Sequence, residues 1–220
     1  MRAGQTLVDD QGHQVALFPL EYMNISQGEG GSYSHSGTYA IDFLGWGAGG
    51  RVNNCPCYAP VDIKCVYASS ISYRIFESLN KVHFADGTLD YLTIWFNHGD
   101  HNADIHVGDI FRQGEKCNET GTTAGAGSTP VTGDHTHIII GKGKYIGQKQ
   151  VNNNWTLRNQ IHMYNGLFIN DTVLIDDNNY NWKTFNGGSP SPSTKKYRFK
   201  WVLYAKKLRD KNWQIEKNLL

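Results

Sequence analysis

The chain has 220 residues, of which 39% are hydrophobic and 12% aromatic, enough to bury the core of a globular domain and too many for a disordered chain. Only 19% are charged, so Asn, Ser, Thr, Tyr and Gly must supply much of the polar surface, which favours strands and loops. No window holds the roughly 20 apolar residues that a membrane-spanning helix needs. The first residues lack the apolar stretch of a signal peptide, so we expect synthesis in a cytoplasm.

Charge is distributed unevenly along the chain. Residues 195–220 hold nine Lys or Arg and two acids, a net +7, so the remaining residues must carry −6 to give the total of +1. Residues 187–194 contain only Gly, Ser, Pro and Thr, which predicts a linker. We therefore divide the chain into a domain over 1–186, this linker, and a basic, aromatic tail over 195–220. Such a tail predicts contact with an anionic partner or, alternatively, a solvated surface segment.

The N-terminal part predicts short strands separated by loops. Residues 1–23 predict an N-terminal strand or arm. Residues 24–38 are too rich in Gly and Ser for a regular element, which predicts a loop carrying His35. Residues 39–45 predict a short strand in which Asp42 faces away from the apolar side chains beside it. A carboxylate in the middle of a strand requires a polar or charged partner.

Strand signals continue through the middle of the chain. Residues 61–68 alternate as a half-buried strand does, and residues 82–96 predict two strand runs joined by a turn at Asp86-Gly87. Residues 121–133 predict a long loop. It leads into the strand that begins at His135.

The spacing of these signals predicts the fold class. Turns recur about every 8 to 12 residues, and no helical period is present before residue 155. We predict an all-β fold built on an antiparallel β-sheet. Apolar runs between residues 155 and 185 predict further strands of the same sheet.

Two histidines near the end of the long loop point to a metal site. His135 and His137 project to the same side of their strand at roughly 7 Å spacing, because successive side chains alternate. Catalytic zinc takes three protein ligands, typically His with a carboxylate, and leaves the fourth position for water. His35, Asp42 and one histidine of the pair form such a set. The other histidine of the pair, or His98 at a strand end, is then available for proton transfer.

The four cysteines give only a weak signal. Cys55 and Cys57 form a Cys-x-Cys pair, whereas structural zinc sites usually contain Cys-x2-Cys, and no second close pair is present. We therefore expect Cys55, Cys57, Cys65 and Cys117 to be reduced and mostly buried.

Seven pieces of the sequence occur in the order that characterises one enzyme family. They are His35 to Asp42 followed by Phe43, Tyr58-Ala59-Pro60-Val61, Ile94 to His98, Val107-Gly108-Asp109, Arg112-Gln113-Gly114, Glu119-Thr120-Gly121 and Asp134 to His137. Together they resemble the lysostaphin/LytM-type zinc metalloendopeptidases. The resemblance covers about residues 24–142 of the predicted domain.

This resemblance implies a fold, a metal and an activity. It implies an open groove in an antiparallel sheet of the LytM, duplicated-hybrid-motif type. It implies one zinc ion per chain, bound by His35, Asp42 and His137, with His98 and His135 as catalytic histidines. The implied reaction is hydrolysis of peptide bonds of bacterial peptidoglycan, in the stem peptide or the cross-bridge.

The sequence departs from the family pattern in two places. The family usually places its Asp four residues after the His, whereas Asp42 follows His35 by seven. Phe96 stands near the usual position of a Tyr before the catalytic histidine. His101 and His106 lie close by in the sequence, so they are alternatives to His98.

The family includes phage lytic proteins, and the missing export signal favours a phage protein. We therefore expect an enzyme made in the host cytoplasm that acts on the cell wall, either within the virion tail or as an endolysin released at lysis. Its expected partners are peptidoglycan, anionic wall polymers bound by the tail, and other phage tail proteins. The alternative is a catalytically inactive tail structural or wall-binding protein, which the longer His-to-Asp spacing favours. Nucleic-acid binding is not expected, because the acidic body would oppose it.

Overall fold

The computed structural model describes residues 1–69, 71–125 and 131–187. In this part of the chain the fold is almost entirely β, which confirms the predicted all-β class. No helix in these ranges is long and apolar enough to cross a membrane. Nearly all of the predicted linker and the whole predicted tail over 195–220 lie outside the described residues.

Short strands account for most of the regular structure. The strands are β1 Tyr22–Gln27, β2 Ile41–Phe43, β3 Trp46–Gly47, β4 Gly50–Arg51, β5 Pro56–Tyr58, β6 Ile63–Ala68, β7 Tyr73–Ser78, β8 Val82–His83, β9 Leu89–Asp90, β10 Leu92–Asn97, β11 Ile110–Phe111, β12 Lys116–Glu119, β13 Thr136–Lys142, β14 Gln148–Val151, β15 Asn154–Leu157, β16 Gln160–Ile161 and β17 Val173–Asp176. Among the described residues, the helical elements are one α-helical turn, α1 Met163–Gly166, and 3₁₀ turns at Asn102–Asp104 and Phe185–Gly187.

One large sheet organises the described residues. Its strand order is β11-β6-β7-β10-β13-β2-β1-β17, and β16 also pairs with β13. Neighbouring strands are antiparallel except for the parallel pair β1 and β17. The positions of β16 and β17 confirm that the region after residue 155 adds strands to the same sheet. Four two-stranded sheets complete the strand pairing: β3 with β4, β5 with β12, β8 with β9, and β14 with β15.

The three central strands bury alternate side chains in the main hydrophobic core. These side chains are Ile41 and Phe43 of β2, Ile94 and Phe96 of β10, and Ile138 and Ile140 of β13. Burying each one contributes about 1.5–3 kcal/mol. The strand period of two then turns Asp42 and His137 toward the opposite face. The predicted orientation of Asp42 is therefore confirmed.

Two local predictions also agree with the structure. The hairpin at Asp86-Gly87 is present as β8 and β9, with Gly87 at a φ of +86° that suits glycine in a tight turn. All four cysteines are free and buried, as expected. Burial raises the pKa of the Cys57 thiol well above its usual value, so this thiol stays protonated and unreactive at neutral pH.

Gly121 lies close to the backbone of two candidate site histidines, His98 and His135. Its N–H donates to the carbonyl of His135 at 3.0 Å, and its carbonyl accepts from the His135 N–H at 3.1 Å. A Cβ at this position would lie 2.3 Å from the carbonyl oxygen of His98 and 2.7 Å from the backbone nitrogen of Asp100. Because both contacts are backbone atoms, a side chain fits only if the chain moves.

We predict that Gly121→Ala lowers the free energy of unfolding by about 1–3 kcal/mol, the usual cost of overpacking. The matched control is Gly49→Ala, because a Cβ there meets nothing within 4 Å. We expect the control to change stability by no more than about 0.5 kcal/mol. Urea unfolding of both variants measures the difference, and equal stabilities would contradict the packing assigned to Gly121.

Candidate metal centre and groove

A row of paired residues crosses five neighbouring strands of the sheet. From β7 to β1 the row is Tyr73, Asn97, His137, Asp42 and Gln27, each directly opposite the next. All five side chains line an open groove of about 1150 Å³. Strand pairing alone therefore places a histidine and a carboxylate side by side at the floor of the groove.

His35 joins this pair from the loop before β2. The Nε2 atom of His35 lies 3.1 Å from Oδ1 of Asp42 and 3.1 Å from Nδ1 of His137, and the latter two atoms are 2.9 Å apart. Ligands held about 2.05 Å from a tetrahedral zinc ion lie about 3.3 Å from one another. The three atoms therefore have nearly the separation that zinc imposes.

The proton on His35 also favours a shared cation. Nδ1 of His35 lies 2.9 Å from the carbonyl oxygen of Gly28, and because a carbonyl only accepts, Nδ1 carries the proton. In the neutral ring Nε2 then offers a lone pair, directed at the Asp42 carboxylate and at His137. A metal ion bound between these atoms satisfies all three at once. The ligand set His35, Asp42 and His137 thus fits zinc in donor type and in spacing.

The electrostatics of the pair fit a metal site as well. Burial alone would raise the pKa of Asp42, but its hydrogen bonds with His137 and His35 outweigh that effect and hold the pKa well below its usual range. Burial lowers the pKa of His137, and Asp42 opposes this only in part. At neutral pH the site therefore combines an ionised carboxylate with a neutral imidazole, the forms in which these groups bind metal.

A hairpin outside the family-like segment braces the loop that carries His35. In the turn after β14, Asn152 Nδ2 donates to Ser36 Oγ at 3.1 Å, and at the start of β15, Asn154 Nδ2 donates to the Ser36 carbonyl at 3.2 Å. A Cβ on Gly37 would lie 2.5 Å from Cγ1 of Val151. The longer loop between His35 and Asp42 is thus supported on its outer side.

His98 and His135 lie beside the three candidate ligands. Their ring centroids are 4.6 Å apart, and Nε2 of His135 is 3.8 Å from Oδ1 of Asp42. Nδ1 of His98 donates to the carbonyl of Thr123 at 3.0 Å, and Nδ1 of His135 donates to that of Gly133 at 2.7 Å. Each neutral ring therefore has an unprotonated Nε2 that can accept a proton.

His98 is held as a neutral base. Burial, together with the neighbouring His137 and His135, lowers the pKa of His98 to about 4. Its backbone adopts a φ of +75°, which is uncommon for a residue other than glycine and suggests a functional constraint. At pH 7 the ring is therefore uncharged.

The two sequence alternatives to His98 lie elsewhere. His101 is exposed, and its ring bonds to Glu119. His106 is exposed, with Nδ1 3.8 Å from Oδ2 of Asp109. Neither side chain lines the groove, whereas that of His98 does.

The remaining histidines contact carboxylates away from the groove. His13 and His83 both contact Asp9, at 3.2 and 3.1 Å, and His162 contacts Glu29 at 2.6 Å. From the sequence these histidines have no partner pattern, because their carboxylates come mostly from distant positions. None of the three lines the groove in the described residues.

The groove also includes Trp155 of β15 and Tyr33 of the His35 loop, with 55% and 80% of their surface exposed. The sequence indicated packing or groove lining for Tyr33, whereas it missed Trp155 and Arg51. Arg51 of β4 also lines the groove, and its Nη2 donates to the carbonyl of Asp134 in the loop before His135. The one sequence signal for Arg51 is that it is an isolated positive charge directly after the glycines of a turn. The sequence contains no such signal for Trp155.

The fold and the site define an all-β protein with a His-Asp-His group and two further histidines in an open groove. No protein-family model matches the chain. The chain is 35% identical over 175 residues to Morphogenesis protein 1 of Bacillus phage B103. The matched segment covers 79% of this chain and 45% of that protein, so the chain spans less than half the length of the relative. This similarity supports an association with bacteriophage.

We predict that the protein binds one zinc ion per chain, and that His35→Ala, Asp42→Ala and His137→Ala each weaken binding by at least about 100-fold. Chelator competition and elemental analysis measure the affinity and stoichiometry. The control is His13→Ala, which removes an imidazole outside the groove. A wild-type protein that takes up no zinc under reconstitution would contradict the prediction.

Proposed function

We propose that this chain contains a zinc-dependent endopeptidase that hydrolyses peptide bonds of bacterial peptidoglycan, in the service of phage entry or host lysis. The observation that carries the proposal is the convergence of His35, Asp42 and His137 within 3.1 Å of one another, beside two histidines with free Nε2 atoms. The ordered motifs over residues 24–142 support the same reaction. The similarity to a phage protein supports the proposed association with a phage.

The residues divide the chemistry between them. Zinc bound at the three ligands would polarise the scissile carbonyl and lower the pKa of a water molecule to about 7. His98, which is neutral at pH 7, and His135, which like His98 is held by a backbone carbonyl, can take the proton of that water and return it to the leaving amine. The two carbonyl bonds occupy Nδ1 of each ring and leave Nε2 available for proton transfer.

The open shape of the groove supports a polymeric substrate. A groove of this size, open to solvent, accepts an extended peptide within a network, whereas an enclosed pocket would exclude it. We propose peptidoglycan as the partner and the cell wall as the place of action, either from the virion tail or after release at lysis.

A second candidate is a virion part that binds the wall or other tail proteins without hydrolysis. The name of the relative refers to morphogenesis, and the comparison alone favours this candidate over an enzyme. The retained ligand set and the paired histidines favour the enzyme. Wall digestion separates the two.

We predict that the zinc-loaded protein releases new amino and carboxyl termini from purified peptidoglycan. His98→Ala and His135→Ala should each slow this release by about 10²- to 10⁴-fold, the usual contribution of general acid or base catalysis, because the proton acceptor is lost. Mass spectrometry of digests from several wall types measures the termini and identifies the bond.

Zinc content distinguishes loss of catalysis from loss of the metal centre. Both variants should retain zinc, since neither ring belongs to the proposed ligand set, and His106→Ala serves as the matched control outside the groove. If zinc-loaded wild-type protein binds walls but releases no termini from any of them, the endopeptidase proposal fails and the virion-part candidate replaces it.

A further inference from the structure

The groove contains few charged side chains. Among its described lining residues, Asp42 is the one acid and Arg51 the one Lys or Arg. The carboxylate of Asp42 already belongs to the His35 and His137 group. Apart from the proposed zinc ion, Arg51 is therefore the positive charge among the described lining side chains that can select a substrate by charge.

Arg51 uses little of its hydrogen-bonding capacity. Its Nη2 donates to the carbonyl of Asp134, and no ion pair within 4.0 Å involves Arg51 in the described part of the chain. The side chain is exposed. Since a guanidinium carries five N–H donors in a planar fork, most of them remain free for a ligand.

The contact with Asp134 fixes Arg51 close to a proposed catalytic group. Asp134 directly precedes His135, and a Cβ on Gly133 would lie 3.8 Å from Nη2 of Arg51. Gly133 is the residue whose carbonyl holds the ring of His135. The guanidinium thus lies along the groove beside the loop that orients His135.

Asp134, whose carbonyl Arg51 contacts, does not neutralise this charge through an ion pair. The side chain of Asp134 turns into the protein, where Oδ2 accepts the backbone N–H of Asn54 at 3.0 Å. The Asp134 residue is only 7% exposed, whereas Arg51 faces the groove. A ligand carboxylate can therefore reach the guanidinium without displacing a protein carboxylate.

We infer that Arg51 binds a carboxylate of the substrate near the scissile bond, so that the protein selects stem peptides with free carboxylates over neutral cross-bridges and amidated stems. The inference rests on the proposed endopeptidase function. Its physical basis is the charge-assisted, two-pronged pairing of guanidinium with carboxylate, which a carboxamide cannot match.

The test compares two forms of one substrate. Soluble peptides released from one wall are used either with their carboxylates free or after conversion to carboxamides. For the zinc-loaded wild type, we expect kcat/KM to be about tenfold higher on the free form. Arg51→Gln should abolish this preference by slowing hydrolysis of the free form alone, and Arg51→Lys should restore part of it. Arg158→Gln removes an exposed arginine outside the groove and should keep the preference.

The outcomes separate this inference from the proposed function. Equal hydrolysis of the two forms by the wild type overturns the inference while the endopeptidase stands. An equal loss on both forms in Arg51→Gln also overturns it, because Arg51 would then act only by holding the loop at Asp134. If no form is hydrolysed, the endopeptidase proposal fails. In that case, calorimetric titration of the wild type and of Arg51→Gln with the two peptide pools tests whether Arg51 recognises carboxylates, independently of hydrolysis.

Discussion

The candidate site depends on the pairing register of β2 with β13, which sets Asp42 directly opposite His137. Ile41 and Phe43 fix this register, because both are fully buried on the core side of β2. A slip of one residue would expose these apolar side chains and bury the carboxylate among them, so the core itself enforces the placement of the site. The remaining contacts at the floor of the groove follow from this pairing.

Segments outside the strands supply three of the histidines of the candidate site. His98 and His135 reach the groove, and the buried His35 reaches Asp42 and His137, from segments outside the strands. Each of the three rings is oriented by a backbone carbonyl, those of Thr123, Gly133 and Gly28 respectively. A carbonyl fixes both the tautomer and the direction of a neutral imidazole. The fold therefore presents three Nε2 atoms with lone pairs toward one space, and no further carboxylate is needed to orient them.

Much of the architecture could be predicted from the sequence because it follows from local patterns. Alternation predicted the face of Asp42, and Asp86-Gly87 predicted its hairpin, since both depend on a few neighbouring residues. The grouping of His35 with His137 came from the order of motifs and from no local rule. Arg51 and Trp155 were missed because a groove wall forms from distant segments, and the orienting carbonyls carry no sequence signal at all.

The brace between the β14–β15 hairpin and Ser36 limits how this part of the protein can be divided. Residues 24–142 carry all the recognisable motifs, yet Asn152 and Asn154 hold the loop of His35 from outside that segment. Recombination between phage genes, or the construction of chimeric proteins, would therefore have to exchange the hairpin together with the motif-bearing strands. A boundary drawn from the motifs alone would transfer the three candidate ligands without the contacts that support the loop of His35.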